Sequence, residues 1–131
     1  MSQIVVHSYD NQAFAPPAPI VFVTLRNLEA TRFVERVPLL IDTGADVSLI
    51  PLSWINTLQV SAVAEQSYEL TSFNGATSQA TSVKLELVVL QKSFRGQFLV
   101  LDQEFGILGR NILNRLRLTF DGPQQHWYEV R

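Results

Sequence analysis

The feature that most constrains this chain is its punctuation. Short β-branched and apolar runs recur along its length, each broken by turn residues within about ten positions, and no helical pattern lasts beyond two or three turns. Residues 20–26 read I-V-F-V-T-L-R, Asn27-Leu28-Glu29-Ala30 follows as a turn, and 32–40 then alternates charged and apolar residues, which predicts a hairpin. Strands are also expected at 67–73, 79–90 and 94–101. In Val83-Lys84-Leu85-Glu86-Leu87 the period of two is clean, so one face is buried and the other is wet. Asn74-Gly75, between Phe73 and Ala76, is the strongest short hairpin-turn signal in the chain. Residues 116–120 and 126–130 read as a second hairpin around Asp121-Gly122-Pro123, and Ile4-Val5-Val6 as a short edge strand. Helical spacing is confined to 51–58 and 108–116. About seven to nine strands with one or two short helices place the chain in the all-β class, as a small barrel or sandwich.

A length of 131 residues corresponds to a single domain, 1–131, with an extended lead-in over 1–19 and a C-terminal hairpin arm over 121–131. The lead-in is marked by Ala13-Phe14-Ala15-Pro16-Pro17-Ala18-Pro19. Lys and Arg number 10 against 12 Asp and Glu, a net charge of −2, so no basic field draws nucleic acid. The absence of cysteine excludes a disulfide framework, a thiolate metal site and a cysteine nucleophile. Two histidines, His7 and His126, are too few and too far apart for a zinc site. There is no Gly-x-Ser-x-Gly, which argues against a serine hydrolase. No run approaches the roughly 20 apolar residues of a membrane helix. Without a basic, apolar signal segment and without cysteine, a cytoplasmic location is expected.

The most informative segment is Leu39-Leu40-Ile41-Asp42-Thr43-Gly44-Ala45-Asp46-Val47-Ser48-Leu49-Ile50. An apolar strand runs directly into a carboxylate, a hydroxyl and a glycine, then returns to apolar residues. A carboxylate beside a core strand is costly unless it is hydrogen-bonded or put to use. Gly44 permits a sharp turn and close approach to the backbone, and the Thr43 hydroxyl can fix the loop. Taken alone, Asp-Thr-Gly is most simply a turn.

It does not stand alone. The apolar-apolar-Asp-Thr-Gly-Ala-Asp pattern, the Phe73-Asn74-Gly75 hairpin downstream, Ile107-Leu108-Gly109-Arg110-Asn111-Ile112-Leu113, and the strand at 116–120 occur in one order. Together they resemble the retroviral-type aspartic proteases, the retropepsins, over roughly residues 20–120. Two features depart from that pattern: the flap has a single glycine, Gly75, and the chain continues past Phe120 to Arg131.

The resemblance implies a small closed β-barrel acting as an aspartic endopeptidase on peptide or protein substrates, with no metal or organic cofactor. Asp42 would be the catalytic residue, with Thr43, Gly44 and Ala45 forming the active-site loop. Phe73, Asn74 and Gly75 would form the flap over the substrate, and Asp46 and Arg110 a partly buried ion pair. Such enzymes need two carboxylates, one ionised and one protonated, as is known of aspartic-protease dyads. Only one Asp-Thr-Gly is present, and Asp10, Asp102 and Asp121 lack its context. A two-fold homodimer would supply the second. Residues 4–6 and 116–130, with Leu118, Phe120, Trp127 and Val130, are the expected interface, and Trp54 and Trp127 are expected as core or interface anchors. The alternative is a dimeric module of the same fold that binds peptides without cutting them.

Overall fold

The computed structural model describes residues 4–60, 67–71, 75 and 77–131. In chain order the elements are β1 (Val6–Asp10), β2 (Ala18–Arg26), β3 (Phe33–Ile41), β4 (Leu49–Pro51), α1 (Leu52–Leu58), β5 (Ser67–Thr71), β6 (Thr77–Val89), β7 (Lys92–Leu101), β8 (Gly106–Leu108), α2 (Arg110–Leu113), β9 (Leu118–Asp121) and β10 (His126–Glu129). Six of them close on themselves. The order β6-β7-β4-β8-β3-β2 returns from β2 to β6, so the predicted all-β class takes the form of a six-stranded closed barrel with two short helices. Among the described residues no helix is long and apolar enough to cross a membrane.

Alternation along the strands fills the barrel. Val21, Val23 and Leu25 of β2, Val37, Leu39 and Ile41 of β3, and Val83, Leu85, Leu87 and Val89 of β6 point inward and are buried. Every second residue along each strand shares a face, so these sets converge on one core. The β2–β3 register is interrupted between Val23 and Leu25, where Arg36 takes a φ of 59°. This bulge twists the hairpin enough for β2 to meet β6 through Thr24↔Val88, Leu25↔Leu87 and Arg26↔Glu86. Across that seam Glu86 pairs with Arg26 at 2.5 Å and lies 3.8 Å from Arg95 of β7. β4 and β8 have three residues each and carry no periodic signal of their own. They are held by long-range pairing, β4 parallel to β7 and β8 parallel to β3.

Outside the barrel, β1, β10 and β9 extend the sheet from β2. The edge strand expected at 4–6 begins instead at Val6 and runs to Asp10. It lies between β2, through Tyr9↔Pro19 and Asp10↔Ala18, and β10, through Val6↔Tyr128 to Ser8↔His126. The lead-in is therefore partly sheet. Trp127 is fully buried in its own chain, its indole N–H donates to the Ile20 carbonyl at 3.1 Å, and His7 stacks on it at 4.3 Å. Lys92 reaches from the start of β7 to the buried Glu129 at 2.5 Å. Trp127 is thus a core residue and is not available to a second subunit. Trp54, half-buried on α1, packs against the same core.

The terminal arm is therefore structural. Trp127→Ala should cost about 3–5 kcal/mol in urea denaturation, and removal of residues 124–131 should unfold the chain rather than release an intact monomer. Burial holds the His7 imidazole below its ordinary value of 6.5. The unfolded chain then takes up this proton more readily than the folded one, so the His7 contribution to stability falls as pH drops through 6.5. His7→Phe keeps the stack and removes the titration, and its unfolding midpoint should decline less than that of the wild type between pH 7 and about pH 5.

Candidate active site

The alternation that fills the barrel also aims Asp42. Val37, Leu39 and Ile41 face inward, so Pro38, Leu40 and Asp42 share the outer face of the same strand. The Asp42 N–H donates to the Leu108 carbonyl at 3.1 Å, which carries the β3–β8 pairing one residue past the end of β3. The loop then closes on itself. Asp42 Oδ1 accepts the Gly44 N–H at 2.9 Å, and the Asp42 carbonyl accepts the Ala45 N–H at 3.2 Å. A Cβ on Gly44 would lie 3.1 Å from that carboxylate oxygen, so glycine keeps the carboxylate unobstructed. Asp42 and Ala45 are half-buried, and Thr43, Gly44 and Asp46 are exposed.

The turn into α2 braces this loop from beneath. Ser48, fully buried, accepts the Gly109 N–H at 2.9 Å and donates to Asn111 Oδ1 at 2.7 Å. The Arg110 N–H donates to the Ala45 carbonyl at 2.8 Å, and Arg110 Nη1 donates to the Thr43 carbonyl at 2.8 Å. A Cβ at Gly109 would collide with the Val47 carbonyl, so the two loops approach this closely only with glycine there.

Several expectations change in the structure. Asp46 and Arg110 are both exposed, and no ion pair joins them among the described residues. Arg110 still ties α2 to the active-site loop, but through the Thr43 carbonyl, because the loop presents that oxygen to the guanidinium. Thr43 accordingly acts in the single chain through its carbonyl rather than its hydroxyl. Phe73 and Asn74 lie outside the described residues. Gly75 is exposed with a φ of 82°, between strands whose last pair is Thr71↔Thr77. Asp10 and Asp121 are engaged in local turns, accepting the N–H groups of Ala13 at 2.9 Å and Gln124 at 3.1 Å, and Asp102 is exposed.

Ser48 and Asn111 are site residues to which the sequence reading assigned no role. The available signal was a hydroxyl inside the apolar run Val47-Ser48-Leu49-Ile50, since a polar group that enters a core must find a partner. Ser48→Ala leaves the Gly109 N–H and the Asn111 side chain without that hydroxyl, and should cost about 1–3 kcal/mol by chemical denaturation.

Residues 17–121 match the family model of the retroviral aspartyl protease. Among solved structures the chain is similar to the EIAV protease in complex with an inhibitor. That similarity has a TM-score of 0.61 and 24% identity, and covers 81% of this chain and 91% of that one. It is also similar to a retropepsin-like aspartic protease from Rickettsia conorii, with a TM-score of 0.63 and 14% identity over 98% of this chain and 91% of that one. No curated protein matches the sequence. At these identities the two structures establish a shared retropepsin-like fold. The matched region takes in the Asp42 loop, the Gly109 turn and β9, and the chain belongs to the retroviral aspartyl protease family.

Proposed function

We propose that the protein is an aspartic endopeptidase that works as a homodimer, each subunit contributing Asp42. The observation that carries this reading is the Asp42 carboxylate itself. It sits half-buried on the outer face of β3, in a loop that its own Oδ1 and the α2 turn hold rigid.

Two such carboxylates across a two-fold axis would repel if both were ionised, so one keeps a proton. The ionised carboxylate takes a proton from a water as its oxygen adds to the peptide carbonyl carbon. The protonated one gives its proton to the carbonyl oxygen. Collapse of the resulting diol breaks the C–N bond: the carboxyl that took the water proton gives it to the departing nitrogen, and a diol O–H returns a proton to the other carboxylate, which restores the dyad. Arg110 is a positioning residue, since it holds the loop through the Thr43 carbonyl without touching the reacting atoms, whereas the Gly44 N–H contacts the Asp42 carboxylate itself. An extended peptide would be held by main-chain pairing beneath the β5–β6 hairpin.

The second subunit has a surface to meet. Among the described residues β9 lies at one end of the strand order and pairs with β10 alone. Phe120 is exposed on β9, and Ile4, Val5, Val6 and Val130 are exposed at the two chain ends. Edge-to-edge pairing of β9 with its symmetry mate would cover the open edge in an isologous contact.

Two measurements test the proposal. Asp42→Asn keeps the acceptor for Gly44 but cannot share a proton, so kcat/KM should fall by several orders of magnitude with the unfolding midpoint nearly unchanged. Wild-type activity per chain should decline on dilution through the dimer dissociation constant, in step with sedimentation. Peptide binding without cleavage, or full activity in a monomer, would overturn the reading.

A further inference from the structure

An apolar groove lies on the face of β3 that leads to Asp42 and is partly built from outside the family region. Its cavity volume is about 230 Å³, and its lining includes Ile20, Phe22, Pro38 and Leu40 from the β2–β3 hairpin, Phe105 from the turn before β8, and Phe14 from the lead-in. The cross-strand pairs Ile20↔Leu40 and Phe22↔Pro38 place these side chains together. Pro38 and Leu40 share their face of β3 with Asp42. Phe14 packs on Phe105 at 4.8 Å between ring centroids. Asp10, the one charged residue in the lining, accepts the Ala13 N–H at 2.9 Å, which holds the turn that presents Phe14. Arg36 lies over the Phe22 ring at 4.3 Å. The family match begins at residue 17, so Asp10 and Phe14 lie outside it.

We propose that the Asp10–Phe14 turn forms the outer wall of a substrate side-chain pocket beside Asp42, and that Phe14 selects which apolar side chains of a peptide are accepted. This rests on the peptidase reading above. Leu40 and Asp42 are two residues apart on one strand, about 6.6 Å. That is also the spacing of alternate residues in an extended peptide, so a peptide carbonyl over Asp42 puts a side chain about two residues away at the groove. An enclosed apolar cavity of about 150 Å³ holds a benzene ring, so this groove has room for one leucine or phenylalanine side chain. The occupant is apolar because the lining side chains named here, Asp10 apart, are hydrocarbon.

The test uses a set of peptides identical except for Ala, Val, Leu, Phe or Trp at single positions flanking the cut, with wild type, Phe14→Ala and Phe14→Leu. At one position the ratio of kcat/KM for the Leu peptide over the Ala peptide should fall about tenfold in Phe14→Ala, the scale of a lost apolar contact. The optimum should also move to a bulkier side chain, with Phe14→Leu intermediate. The same peptides are titrated calorimetrically into Asp42→Asn, alone and combined with each Phe14 change, where affinities should follow the same order. Cleavage with an unchanged profile in both Phe14 variants would overturn the pocket and leave the peptidase reading standing. Ordered binding that depends on Phe14, with no cleavage by wild type, would support the pocket and overturn the peptidase reading.

Discussion

The structure hangs on one strand. β2 pairs with β3 along one edge and divides its other edge between β1 and β6. Its contact with β6 closes the barrel, and its contact with β1 attaches the terminal sheet. The first depends on the bulge at Arg36, since a flat hairpin could not bend far enough to return to β6. Val21, Val23 and Leu25 then lie at the middle of the core, and Ile20 supplies the carbonyl that receives the Trp127 indole. Barrel, terminal arm and groove therefore share a single element, and a change that loosens β2 reaches all three.

The active-site loop is held mainly by backbone groups. The donors at Gly44, Ala45, Gly109 and Arg110 are main-chain N–H groups, and the acceptors include the carbonyls of Asp42 and Ala45. Apart from the Gly44 N–H, whose acceptor is the Asp42 carboxylate itself, these bonds end on carbonyl or hydroxyl oxygens that do not titrate in the acidic range, so the loop does not rely on an ion pair for its shape. The bond from Arg110 to the Thr43 carbonyl does not depend on any acid's charge state.

The two strands of the terminal arm stand in different surroundings. β10 is enclosed between β1 and β9 and serves its own chain, whereas β9 carries the open edge. The buried side chains of β10, Trp127 and Glu129, point into the fold, while Phe120 of β9 remains exposed.

By itself the sequence determined everything that local pattern encodes. The period of two at 83–87 specified a strand and which of its faces is buried, and the runs at 20–26 and 32–40 specified a hairpin. Asp42-Thr43-Gly44 and Ile107-Leu108-Gly109-Arg110-Asn111 marked the loop and the turn beneath it. Tertiary structure alone decided the partners. β4 and β8 are too short to show a period and exist because β7 and β3 supply their hydrogen bonds. Arg110 turned to the Thr43 carbonyl rather than the Asp46 carboxylate, Trp127 turned inward rather than toward a second chain, and Phe14 met Phe105 from the far end of the sequence. The physical reason is the same in each case. Periodicity and turn chemistry act between near neighbours, whereas the choice among distant partners depends on which groups the closed barrel brings within reach.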